Sequence, residues 1–69
     1  MNEKMAGKIK WFKPEKGYGY IKGYDEDDYY FEIGSLMFDI HLINSDLIVK
    51  FTPNFVNDML YADGIEIYE

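Results

Sequence analysis

Apolar and polar side chains alternate with a period of two through much of this chain. In Gly17-Tyr18-Gly19-Tyr20-Ile21 the two tyrosines fall on one side, and the glycines and Ile21 on the other. Successive strand residues point to opposite faces, so the pattern predicts a strand with two aromatic rings on one surface. Asp28-Tyr29-Tyr30-Phe31-Glu32-Ile33 divides in the same way. Tyr29, Phe31 and Ile33 share one face, and Tyr30 and Glu32 the other.

The spacing predicts five strands. The first covers residues 8–13, where Ile9, Trp11 and Phe12 favour extended structure although alternation is poor. Pro14 ends it. After a turn at Glu15-Lys16-Gly17, a second strand runs over 17–23. An acidic turn separates it from a third at 28–33, which Gly34 and Ser35 break. Leu36, Met37, Ile40 and Ile43 have a roughly helical spacing, which predicts one helical turn and a loop within 35–43. Asn44-Ser45-Asp46 is a further turn. A fourth strand covers 47–56, with Pro53 marking an edge or a bulge because proline cannot donate to a ladder. Asn57-Asp58 suits a tight hairpin turn. The fifth strand covers 59–68, bent or bulged at Asp63-Gly64.

Five short strands with one helical turn fit an all-β fold, a small barrel. Ile21, Phe31, Val49, Phe51 and Ile65 can fill its interior. Parity then leaves Tyr18, Tyr20 and Tyr30 outside, with Trp11 joining them from the first strand. Phe12 fits the core and the outer face equally well. A soluble protein gains little from bare aromatics on one strand. Flat rings edged with cations do, however, match the unstacked bases and phosphates of single-stranded nucleic acid. Lys10, Lys13 and Lys16 flank the rings and are the expected phosphate contacts.

The net charge of −6 argues at first against a polyanionic partner. Its distribution changes the picture. Residues 1–23 carry six lysines against two glutamates, a net of +4, whereas residues 24–69 carry one lysine against eleven acids, a net of −10. Screening at physiological salt acts over about 8 Å, so a local lysine cluster can attract phosphate despite distant acids. The run Asp25-Glu26-Asp27-Asp28 is expected to be a solvated loop that discourages edge-to-edge aggregation. Its adjacent carboxylates lack the spacing of a calcium loop.

Sixty-nine residues are expected to make a single domain, 1–69, with a small core. There is no cysteine for a disulfide or thiolate site, and His41 is the only histidine, so no metal is expected. The sequence has no apolar run long enough to span a membrane. The first five residues lack the apolar core of a signal peptide, and a cytoplasmic location is the expectation. No nucleophile sits beside a base and no carboxylates are paired for acid–base work, so neither an enzyme nor a cofactor is expected.

These motifs resemble a known family. Lys16-Gly17-Tyr18-Gly19-Tyr20-Ile21 is similar to the first nucleic-acid-binding motif of the bacterial cold-shock domain, with tyrosines where that family usually has phenylalanines. Gly7-Lys8-Ile9-Lys10-Trp11-Phe12 resembles its first strand, and Asp28-Tyr29-Tyr30-Phe31-Glu32-Ile33 stands at its second motif. The resemblance is strong over residues 7–33 and weak beyond. It implies a five-stranded antiparallel barrel of the oligonucleotide-binding (OB) type whose first three strands bind single-stranded RNA or DNA, as RNA chaperones do. Phe38 would stand for a further loop aromatic of the family.

Two positions depart from the pattern. Glu32 stands where the family usually has histidine, and Ile33 where it has phenylalanine. A carboxylate repels phosphate and offers no stacking surface, but it can accept a hydrogen bond from a base amino group. Both departures support an alternative: a divergent barrel with weakened nucleic-acid binding that docks a protein partner, through its acidic surface or the same aromatic face.

Overall fold

The computed structural model describes residues 3–68, and its five strands close into a barrel. They are β1 (Met5–Lys13), β2 (Tyr18–Gly23), β3 (Asp28–Glu32), β4 (Ile48–Val56) and β5 (Met59–Ile67). Around the barrel the order is β1-β2-β3-β5-β4. Neighbours pair antiparallel except β3 and β5, which run parallel where Tyr30 meets Tyr61. A parallel bridge from Leu36 to Ile65 extends that seam. The expected antiparallel barrel therefore closes through one short parallel contact. Its cause is topological: β5 follows the β4 hairpin and must enter beside β3 in β3's own direction.

The core consists of Ile9, Ile21, Tyr29, Phe31, Val49, Phe51, Ala62 and Ile65, all buried. The five residues expected inside are there, and Ile9, Tyr29 and Ala62 join them. Ile33, expected on the same face, is 44% exposed. β3 stops at Glu32, and Ile33–Ser35 forms a 3-10 turn, so strand parity no longer governs Ile33. The segment expected to hold one helical turn has its second 3-10 turn at Ile40–Leu42. Asp39 caps that turn, accepting from the His41 backbone N–H at 2.9 Å and lying 2.8 Å from His41 Nδ1. These bonds hold the Asp39 carboxyl below its usual range, the backbone N–H contributing most.

Two bulges shape the barrel. In β1 the pairing moves from Ile9↔Ile21 to Trp11↔Tyr20, so Lys10 is an extra residue. This explains the poor alternation of that strand: Ile9 points inward, Lys10 and Trp11 both outward, and Phe12 inward again. In β5 the pairing moves from Thr52↔Asp63 to Lys50↔Glu66. The extra residue falls at Gly64-Ile65, where Gly64 has φ +55 and glycine alone takes that conformation cheaply. At the hairpin tip Asn57 and Asp58 both have positive φ, which matches the right-handed twist of the flanking strands.

The acidic segment is exposed, as expected of a solvated loop, and hydrogen bonds and ion pairs tie it to the barrel. Asp25 accepts from Tyr29 Oη at 2.6 Å and from the Asp27 backbone N–H at 3.1 Å. Glu26 and Asp28 pair with Lys22 and Lys10. Among the described residues no helix is long and apolar enough to cross a membrane.

Candidate nucleic-acid interface

The outward residues of β1, β2 and β3 meet as a continuous aromatic surface. Cross-strand pairing sets Trp11 opposite Tyr20 and Tyr20 opposite Tyr30. The Trp11 ring centroid lies 5.3 Å from Tyr20 and 5.6 Å from Tyr18. Tyr30 lies 5.7 Å from Tyr18 and 5.6 Å from Tyr20. Most of these rings meet at steep or tilted angles, the edge-to-face geometry that aromatic quadrupoles favour. Each ring thus braces its neighbours without forming a closed stack.

The surface continues onto β5. Tyr61 meets Tyr30 edge-on at 5.4 Å. Sequence reasoning missed this residue. The signal was present: the turn at Asn57-Asp58 fixes Asn54 opposite Tyr61, and Ala62 beside it faces inward, so Tyr61 faces out. What the sequence lacked was the parallel seam that brings β5 beside β3.

Gly19 links this surface to the core. A Cβ there would collide with the Trp11 carbonyl oxygen and lie 3.0 Å from both Phe12 Cα and the Phe31 ring. The glycine lets β1 and β2 close tightly beneath Trp11 and Tyr20 while the Phe12 ring stacks on Phe31 at 5.7 Å.

Comparison with known proteins supports the resemblance. No family model matches the chain. Cold shock-like protein CspC of Bacillus cereus is 40% identical over 35 residues, 51% of this chain and 54% of that one. Cold shock-like protein CspI of Escherichia coli K12 is 62% identical over 21 residues, 30% of each chain. The matched region spans about half the length of the first of these relatives. The fold likeness runs further. The solved structure of Drosophila Unr CSD456 superposes on 99% of this chain and 28% of its own, with a TM-score of 0.84 at 19% identity. The partial matches and the shared fold support a divergent cold-shock domain protein.

On this barrel the expected site residues separate into two groups. Trp11, Tyr18, Tyr20, Tyr30 and Glu32 come together on one face, with Lys13 beside them. Lys13 Nζ lies 5.5 Å from the centre of the Trp11 ring. Lys16 sits exposed in the turn that joins β1 to β2. Among the described residues Lys4, Lys8, Lys10, Lys22 and Lys50 form ion pairs, and Lys13 and Lys16 do not. The two uncommitted cations lie at the same end of the aromatic face.

Lys10, Phe12 and Phe38 do not join that group. Lys10, the bulge residue, bonds Asp28 at 3.0 Å. Phe12 turns to the inner side of β1, because the bulge at Lys10 shifts the parity by one. Phe38 packs against the core and lines a hollow with Lys50, Glu66 and Ile67, away from the tyrosines.

Glu32 lies on the aromatic face, opposite Tyr18 in the β2–β3 ladder. The Tyr30 hydroxyl donates to Glu32 Oε2 at 3.0 Å. Partial burial, the bond to Glu32 and its charge all favour the neutral phenol, and the Tyr30 pKa is raised, burial contributing most. Among the described residues no cation pairs with Glu32.

Proposed function

We propose that this chain binds single-stranded nucleic acid, RNA and single-stranded DNA alike, by stacking bases on Trp11, Tyr18, Tyr20, Tyr30 and Tyr61 while Lys13 and Lys16 contact phosphates. It would hold strands unpaired in the manner of an RNA chaperone, a role that requires no catalysis. One observation carries the reading: five outward rings form one connected surface, and the cations beside it that form no ion pair among the described residues are two lysines. Base–aromatic stacking contributes about 1–3 kcal/mol per base and tolerates any base, because each has a π-face. A few such stacks give useful affinity without an extended basic surface. The partial likeness to cold shock-like proteins supports nucleic-acid binding in general.

A second reading, a barrel that docks a protein partner, draws on the tip of the β4–β5 hairpin. Phe55 is 65% exposed there, with Val56 and Met59 each at 44%. Titration of Trp11 fluorescence with single-stranded and duplex oligonucleotides of equal length separates the two. Quenching by single strands, weak for duplex and declining with salt, is the expected outcome. No response to any single strand at low salt favours protein docking.

A further inference from the structure

Glu32 is an obstacle to phosphate and yet lies on the proposed binding face, at its Tyr18 end. Its carboxylate is held in place there. The Tyr30 hydroxyl donates to Oε2, which orients the group and spends the tyrosine's own proton. Oε1 has no partner among the described residues, and Oε2 keeps further lone pairs, since an ionised carboxylate accepts at about four sites. Tyr18 is its direct cross-strand partner, and side chains so placed have Cβ atoms about 5 Å apart. A base stacked on Tyr18 would lie within reach of the carboxylate and can turn an edge toward it.

Such a group is an acceptor only, and it asks for two donors side by side. Among the four common bases guanine alone offers that on its Watson–Crick edge, as N1–H next to the N2 amino group. Cytosine and adenine set one amino donor beside an acceptor nitrogen, and uracil sets one N–H between two carbonyls. Those acceptors would face a carboxylate oxygen and be repelled. Building on the nucleic-acid reading above, we propose that Glu32, positioned by Tyr30, makes this face select a guanine in an otherwise sequence-tolerant strand. The same charge that disfavours other bases then discriminates twice, by attraction to guanine and by repulsion of the rest.

The test uses Trp11 fluorescence with uridine heptamers whose central base is uridine, adenosine, guanosine or inosine. A single guanosine avoids guanine-rich self-association, and the strand can slide to bring it to the site. The parent protein is expected to bind the guanosine heptamer roughly tenfold or more tighter than the uridine and adenosine ones, the range of a good bidentate base contact. Inosine, which keeps N1–H and lacks the amino group, should fall between. Glu32→Gln presents one acceptor and one donor in place of two acceptors. It should erase the guanosine preference while uridine-heptamer binding tightens, because a negative charge has left the face. Tyr30→Phe keeps the ring but frees the carboxylate, and should narrow the preference. Equal binding of all four heptamers by the parent, or a preference that survives in Glu32→Gln, overturns guanine selection and leaves the nucleic-acid reading standing. Failure of the parent to bind any heptamer overturns both.

Discussion

Tyr29 and Tyr30 are adjacent in β3, and they lead opposite lives. The Tyr29 ring is 3% exposed and lies 4.9 Å from Phe51 in the core. Its hydroxyl reaches the end of the barrel and donates to Asp25. The Tyr30 ring is part of the outer aromatic face, and its hydroxyl donates to Glu32. The same contrast recurs between Phe31, which fills the barrel, and Tyr18 or Tyr20, which pave its outside. One strand thickness separates an aromatic cluster that holds the fold together from one left available for a ligand. Residue type does not distinguish them; the direction of the Cβ does. Stability and binding should therefore be separable by mutating alternate positions.

The largest effect should come from the inner cluster. Phe31→Ala removes a fully buried ring and is expected to cost about 3–5 kcal/mol. A domain of this length has only about 3–10 kcal/mol of stability in total. Thermal unfolding followed by far-ultraviolet circular dichroism should find the variant largely or wholly unfolded at 37 °C. A Tm close to the parent's would mean that the two clusters are not divided as described.

The outer cluster should behave in the opposite way. Tyr18→Ala and Tyr20→Ala are each expected to cost about 1–3 kcal/mol of single-strand affinity, with the fold retained. Both variants binding as tightly as the parent while folded would falsify the stacking role.

The third comparison uses the hydroxyls. Burial first, and then the bond to Asp25, push the Tyr29 pKa from its ordinary 10.0 up to about 12. The folded state thus favours the neutral phenol. The stability that this contributes is complete below the unfolded value near 10 and is lost as pH rises through about 12. Tyr29→Phe keeps the ring and deletes the bond, so it should cost about 1 kcal/mol at neutral pH and flatten the alkaline decline. Urea midpoints measured from pH 8 to 12 for the parent and the variant check this. An unchanged alkaline slope would mean that another group controls it.

The smallest effect should be electrostatic. With Lys13 and Lys16 as the uncommitted cations, log K against log salt for a single strand should have a slope of about −1.4, roughly −0.7 for each phosphate neutralised. Lys13→Gln or Lys16→Gln should each reduce that slope by about half, whereas Lys22→Gln, on a lysine engaged with Glu26, should leave it nearly unchanged. Equal changes in all three would indicate diffuse attraction instead of two contacts.

The sequence by itself determined most of the barrel. Alternation along 17–23 and 28–31 put Ile21, Tyr29 and Phe31 inside and Tyr18, Tyr20 and Tyr30 outside, because strand geometry ties position parity to a face. Asn57-Asp58 and Gly64 announced the hairpin turn and the bulge, because few residues take left-handed backbone conformations at low cost. The tertiary structure decided what depends on neighbours distant in sequence. The extra residue at Lys10 turned Trp11 outward and Phe12 inward, since a bulge shifts parity and only the pairing with β2 locates it. Pairing also engaged Lys10 with Asp28 and left Lys13 and Lys16 without an ion pair among the described residues. The loop after β3 carried Ile33 out of the core and Phe38 away from the aromatic face, where no period applies. The parallel seam between β3 and β5 brought in Tyr61, a neighbour that no local pattern encodes, because barrel closure joins strands separated by half the chain.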